Sequence, residues 1–193
     1  MKVALTFSGC HRRGGVERIM LECANFMASR GHETHIVTAE HDARFLHPEI
    51  VVHRVPVGTG NELSQLKNFV QNGPEIVAKV APETLGTFGA VTPPGVCWVQ
   101  SVHAAWMEIS AQRRDWKGRL KQRLNPFHPY VLNLEKERFG GRKYDKLIAL
   151  TPNVKADLMR FYNVNESDIA LIPNGFEPRG KKNISQTVDK YTG

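Results

Sequence analysis

The feature that most constrains this chain is its opening. A short apolar run, Val3-Ala4-Leu5-Thr6-Phe7, leads through Ser8-Gly9-Cys10-His11-Arg12-Arg13-Gly14-Gly15 into an amphipathic stretch from Val16 to Arg30. The run is short, apolar and β-branched in part, which predicts a buried strand. Val16, Ile19, Met20, Cys23, Ala24, Met27 and Ala28 recur at helical spacing on one face, which predicts a helix with Gly31 at its C-terminal cap. Two glycines therefore stand where the strand gives way to the helix. Backbone N–H groups are unpaired there, the helix dipole is positive, and no Cβ blocks a ligand. That arrangement suits a phosphate. A tight turn that needs glycine only for its dihedrals accounts for the same residues.

The order continues to alternate. Strands are predicted at His35–Ala39, Ile50–Val55, Thr84–Phe88, Val96–Val102, Lys146–Leu150 and Ile169–Ile172. Helices are predicted at Asn61–Asn72, Pro74–Val80 (after a break at Gly73-Pro74), Ala105–Arg123, Pro129–Phe139, and from Thr151-Pro152 onward. Repeated strand–helix units imply an α/β fold: a Rossmann-like, doubly wound, mostly parallel sheet with helices on both faces. Ligands of such folds bind beyond the carboxyl ends of the strands. Residues 1–178 form the expected domain. The polar segment 179–193, RGKKNISQTVDKYTG, is an expected tail or linker remnant.

Composition removes several classes. The chain has 193 residues, 41% hydrophobic and 23% charged, which fits one well-cored globular domain. No apolar run approaches the roughly 18 residues of a membrane span, and the opening is too short for a signal-peptide core. A cytoplasmic protein is expected. The three cysteines, Cys10, Cys23 and Cys97, are widely spaced and suggest neither a disulfide framework nor a thiolate metal site, with Cys23 a buried thiol on the helix face. No metal-ligand spacing is found among the eight histidines; His32 and His35 read as a solvated loop and a strand start.

Charge is concentrated. Residues 112–123 hold Arg113, Arg114, Lys117, Arg119, Lys121 and Arg123 against the single acid Asp115, with Trp106 and Trp116 nearby, in a chain of net charge +7. Three readings fit: a solvated helix face, an anionic contact surface such as the inner face of a membrane, or nucleic acid. Nucleic acid is not expected as a partner, because no recognition helix, zinc motif or aromatic RNA-binding pattern accompanies the charge. A dehydrogenase is poorly supported, because the glycine loop is not G-x-G-x-x-G and Glu40 is a lone acidic candidate for a ribose.

Three motifs in order carry a resemblance. Gly14-Gly15-Val16-Glu17-Arg18 follows the first strand, Val99-Gln100-Ser101-Val102-His103-Ala104-Ala105-Trp106 ends another, and Thr151-Pro152-Asn153-Val154-Lys155 precedes Leu171-Ile172-Pro173-Asn174-Gly175-Phe176-Glu177. Together they resemble the N-terminal, acceptor-side half of family 4 glycosyltransferases, whose GT-B fold sets two Rossmann-like domains face to face. The resemblance covers about residues 1–178. It implies that a nucleotide-sugar donor binds mainly to a C-terminal domain and that a glycan or lipid-linked acceptor binds this half. Transfer with retention would then occur in the cleft, without a cofactor or essential metal, in the making of cell-envelope polysaccharide. It further implies that His103 is the catalytic-site histidine, although a structural histidine at a strand end fits equally. Gly14, Gly15 and Glu17 would form the donor-phosphate or acceptor loop, and Asn174 and Gly175 would be hinge residues. Arg12 and Arg13 are available to an anionic acceptor or to solvent. The donor-binding half is missing from the sequence, so activity of this chain alone is not expected, and a separate donor-binding chain is one way to complete it. The competing expectation is a non-catalytic Rossmann-like module that binds an anionic ligand or membrane surface.

Overall fold

A computed structural model describes residues 1–10, 14–89 and 94–175. Arg12, Arg13, Pro93, Phe176, Glu177 and the expected tail 179–193 lie outside the described residues. The chain order begins β1 (Lys2–Thr6), β2 (Gly9–Cys10), α1 (Gly15–Ser29), β3 (Glu33–Thr38), β4 (Glu40–His41), β5 (Val51–Arg54) and α2 (Glu62–Val80). It continues through β6 (Thr84–Phe88), β7 (Val96–Val99), α3 (His103–Gln112), α4 (Trp116–Leu124), α5 (Phe127–Glu135), β8 (Lys146–Ala149), α6 (Pro152–Tyr162) and β9 (Ile169–Leu171). A single π turn, Lys136–Gly140, extends α5.

Seven strands form one parallel sheet in the order β5-β3-β1-β6-β7-β8-β9. The α/β, doubly wound reading is correct. Strand alternation explains why both faces are covered. Val3 and Leu5 of β1, with Ile36 of β3, pack on Met20, Leu21 and Ala24 of α1. Their neighbours Ala4 and Val37 point the other way, onto Phe69, Val77 and Val80 of α2. A third core joins Cys97, Val99, Leu147 and Ala149 to Leu158 of α6 and Phe139 of the π turn. The sheet order reverses direction at β1, between β3 and β6, so a crevice opens beyond the carboxyl end of β1.

The structure corrects several local expectations. Glu62–Val80 is one helix with Pro74 inside it, not two. Gly73 precedes the proline and has no Cβ for the ring to strike, and the buried stripe Phe69, Gly73, Val77, Val80 holds both halves on the sheet. The basic helix is also two. Asp115, the one acid of that segment, accepts from Gly118 N at 2.8 Å and N-caps α4, so the chain breaks after α3. Gly9 and Cys10, read as loop, form a two-residue parallel ladder with β4. The strand predicted to Val102 stops at Val99. Cys23 is only half-buried: it packs against the first core, while Met20, Leu21 and Ala24 are fully buried in it. His35 lies near the start of β3, as expected, and is buried there: Nδ1 lies 2.9 Å from His53 Nε2 and Nε2 lies 3.0 Å from Glu33 Oε1. Gly31, by contrast, takes φ +77° just after α1 as a capping glycine should.

Candidate functional site

The crevice beyond β1 holds a cavity of about 480 Å³. Phe7, Ser8 and Gly9 enter it from the end of β1, and Ala39 and Glu40 from the end of β3. Arg54 enters it from the end of β5 and Val57 from just beyond, and Glu62, Gln65, Leu66 and Phe69 from α2. Glu17 of α1 and Phe127 of α5 complete the wall. Among the described residues its charged groups are three carboxylates, Glu17, Glu40 and Glu62, and one guanidinium, Arg54, whose Nε donates to Ala39 O at 3.3 Å. Apolar rings beside hydroxyl-accepting carboxylates form a surface suited to a hydroxylated ligand.

The glycine corner borders this cavity through Glu17. Gly14 is the N-cap of α1 in extended conformation, and Arg18 N closes the first turn on Gly14 O at 3.2 Å. The N–H groups of Gly15, Val16 and Glu17 therefore have no intrahelical partner. Glu17 folds back so that its carboxylate occupies the space a side chain on Gly14 would fill. The acid of the first turn thus already sits at the positive helix end. Gly15 is exposed and open: a Cβ there would meet only Gln100 Oε1, at 3.7 Å. Gln100 Nε2 is buried with no hydrogen-bond partner among the described residues.

His103 opens α3, just beyond β7. Two contacts fix its backbone: His103 N donates to Glu135 Oε1 at 2.7 Å and Ala104 N to Glu135 Oε2 at 3.2 Å. Glu135 also accepts from Tyr162 Oη at 2.6 Å. A buried carboxylate thus satisfies the start of α3, where Val102 supplies no side-chain cap. Burial raises the Glu135 carboxyl above its ordinary value, against the lowering effect of these three donors. The His103 ring stacks on Trp106 at 5.3 Å and on His128 at 5.2 Å, and Phe127 meets it edge-on at 6.3 Å. His103 Nε2 lies 3.1 Å from His128 Nδ1. Burial, and secondarily His128, holds the His103 imidazole below the usual histidine value. Phe127 belongs to both groups, so the His103 cluster adjoins the cavity through one shared ring.

Asn174 and Gly175 lie elsewhere. With Arg18, Glu22, Phe26, Trp98 and Ile172 they line a separate groove along the other flank of α1. The expected site residues therefore form two groups, one on each side of the first turns of α1. Glu17 faces one and Arg18 the other.

The basic residues Arg113, Arg114, Lys117, Arg119, Lys121 and Arg123 are all exposed. Arg114 and Arg119 have local partners, Ser110 Oγ and Arg114 O, each at 3.0 Å. Sequence reasoning missed what lies between them. Trp116, Leu120 and Leu124, one turn apart, are 68%, 50% and 70% exposed and form an apolar stripe with Pro126. Their i, i+4, i+8 spacing was available as a signal. His128 and Glu135 were missed too, and no local pattern marks them. Among the described residues no helix is long and apolar enough to cross a membrane, and no group of three or more His, Cys, Asp or Glu side chains is placed to hold a metal ion.

Solved structures share this architecture. WaaG, a glycosyltransferase involved in lipopolysaccharide biosynthesis, superposes with a TM-score of 0.71 at 21% identity over 91% of this chain and 46% of its own. Sucrose-phosphate synthase from Thermosynechococcus elongatus gives 0.65 at 16% identity, over 91% and 48%. The lipopolysaccharide outer core galactosyltransferase WaaB gives 0.52 at 15%, over 92% and 46%. The chain thus spans about half the length of these proteins. No curated protein sequence matches it. The model of Glycosyltransferase Family 4 matches residues 13–179, from the glycine corner through the Asn174 bend. A parallel sheet with its crevice at β1, and that match over most of the sequence, place the chain in glycosyltransferase family 4.

Proposed function

We propose that this chain is the acceptor-binding half of a retaining glycosyltransferase, which moves a sugar from a nucleotide-sugar donor to a glycan or lipid-linked acceptor. The observation that supports this most is the cavity at the end of β1, with the His103 cluster against its Phe127 wall. In this reading the acceptor sugar lies in the cavity. Its C–H faces rest on Phe7 and Phe127, and its hydroxyls donate to Glu17 and Glu62. His103 hydrogen-bonds the reacting sugar. The open N–H groups at Gly15 face the forming negative charge, with Glu17 moving aside when a phosphate approaches. Asn174 and Gly175 bend the chain toward a donor-binding half, supplied by further sequence or by a separate chain.

The test combines residues 1–193 with a separately supplied family 4 donor-binding half and labelled nucleotide-sugars. Sugar transfer is expected, and His103→Ala should reduce it by about tenfold, as the loss of one hydrogen bond worth about 1.4 kcal/mol would. No transfer in any pairing, together with no acceptor saccharide binding to the chain, ends this reading.

The exposed stripe of α4 favours a second role for the same domain: contact with an anionic membrane surface, at the inner face of the cell membrane. Trp116, Leu120 and Leu124 would enter the interface while the neighbouring cations meet lipid phosphates. If the membrane contact exists and transfer does not, the chain is a non-catalytic binding module.

A further inference from the structure

The edge strand β5 is tied to β3 by more than its ladder. Val37 faces α2, so His35, two residues before it on β3, shares that face. His53 of β5 shares it too, because it stands opposite Val37 in the ladder. The two side chains meet, with His35 Nδ1 2.9 Å from His53 Nε2 and the rings stacked at 5.1 Å. On its other nitrogen, His35 Nε2 lies 3.0 Å from Glu33 Oε1.

That second contact sets the direction of the first. Glu33 is held below the ordinary carboxyl value, first by the His35 hydrogen bond and also by Lys2, whose Nζ is 3.4 Å from the same oxygen. An ionised carboxylate only accepts, so His35 Nε2 carries a hydrogen. In the neutral ring Nδ1 is then an acceptor, and the hydrogen between the rings belongs to His53 Nε2. The run of donors goes from half-buried His53 through buried His35 to exposed Glu33.

One added proton still leaves one facing nitrogen bare, so the rings stay bonded. With both rings cationic, both facing nitrogens carry hydrogens and the bond is lost. The surroundings oppose that state. Burial first, then the charges of His35 and of Lys2 on β1, hold the His53 imidazole below the usual histidine value. The charged groups of α2 are engaged elsewhere: Glu75 pairs with Lys79, Lys67 lies over Tyr130, and Glu62 lines the cavity beyond β1. Arg54, next to His53, donates to Ala39 O. In the loop before β5, Glu49 N donates to His47 Nδ1.

We propose that Glu33, His35 and His53 form an acid-sensitive clasp on the edge strand β5, closed while the two rings share a hydrogen and open when both are cationic. Among the described residues β5 pairs with β3 alone, so the clasp supplements a single ladder. β5 also carries Arg54 into the wall of the cavity beyond β1, so an open clasp loosens that wall. Because the fold favours neutral His53, the opened strand binds more protons. The stability of β5 is therefore present above the ordinary histidine value of about 6.5 and lost as pH falls from there.

The test uses the full 193-residue chain and needs no sugar. Ring ¹⁵N NMR at about pH 7.5, where both rings are neutral, should show His35 with a hydrogen on Nε2 and none on Nδ1, and His53 with a hydrogen on Nε2. Amide exchange reads the clasp at Val55, whose N–H donates to Thr38 O at 2.8 Å just beyond β5. Its protection factor should fall about tenfold between about pH 7.5 and about pH 5. Protection at Ile172, whose N–H donates to Ala149 O at 3.0 Å on the opposite edge of the sheet, should stay the same. His53→Gln keeps a donor for His35 Nδ1 and does not titrate, so Val55 should stay protected at both pH values. A hydrogen on His35 Nδ1 in the neutral wild type overturns the proposal. So does an equal loss of protection at Val55 and Ile172, the absence of any fall at Val55, or a fall that persists in His53→Gln. If His53→Gln does not fold, the wild-type ring spectrum and the two wild-type exchange profiles decide.

Discussion

Helices α1 and α4 carry the same kind of sequence pattern and meet opposite fates. In α1, Met20, Leu21, Ala24 and Ala28 lie on the sheet at 0–2% exposure. In α4, Trp116, Leu120 and Leu124 repeat at one-turn spacing and stand in solvent, while the buried residue is a glutamine, Gln122. The difference is topological. α1 connects two parallel strands, so the crossover lays its apolar face on the sheet that those strands belong to. α4 lies within the long excursion from β7 to β8, flanked by α3 and α5, and among the described residues its chief contact is with α3. An apolar stripe states that a helix is amphipathic. Its place in the connection decides whether the partner is the chain's own sheet or something outside it.

The largest expected effect tests that contrast directly. Leu21→Ala removes a fully buried side chain from the first core and should cost about 2–5 kcal/mol of unfolding free energy. Leu120→Ala, an identical chemical change on α4, should stay within about 0.5 kcal/mol. Urea denaturation of both variants measures this. A Leu120 variant as destabilised as the Leu21 variant would mean that α4 packs on the domain after all, and the contrast would disappear.

A second experiment asks what the exposed stripe does. Replacing Trp116, Leu120 and Leu124 together with serine should leave stability nearly unchanged and weaken binding to anionic vesicles by more than tenfold. The estimate follows because partial burial of one such side chain is worth roughly 1.5 kcal/mol. The cations should contribute next. Lys121→Gln with Arg123→Gln should lose about 1 kcal/mol per charge at low salt, and the loss should shrink as salt rises. Sedimentation with vesicles of graded anionic lipid content reads both. Equal binding of wild type and the serine variant would leave the stripe without a membrane role.

What was legible in the sequence divides along the same line. The β1–α1 unit was readable because its signals are local: a short apolar run, helical periodicity, then a glycine. The fate of α4 was obscured because six cations dominate its composition, and the apolar residues between them were not read as a face. Asp115, one acid in a basic run, carried the break between α3 and α4 and passed as a charge detail. Of the candidate site, the sequence marks His103 and the Gly14-Gly15 corner as candidates, but not the contacts that surround them. Glu135 caps α3 from 32 residues away, and His128 touches His103 across 25. Those contacts exist only once α5 has folded back along α3, and no spacing rule encodes them. Gly14 has a more modest lesson: the space beside it, read as room for a phosphate, is taken by Glu17 of the same chain.

The smallest effect refines the comparison at its boundary. Asp115 Oδ1 accepts from Gly118 N at 2.8 Å, and Asp115→Ala removes that cap. The cost should be about 1 kcal/mol, within the usual range for an N-cap. Helix α1 has no side-chain cap at Gly14, yet the sheet holds it, so its stability does not depend on one. α4 has a cap and little burial, so the loss should appear locally. Amide exchange should quicken in α4 alone, vesicle binding should fall by a few-fold, and the urea midpoint should hardly move. Exchange that quickens equally in α3 and α5 would show that the three helices open as one unit. In that case the exposed stripe would belong to a structured platform and not to a helix held mainly by its own first turn.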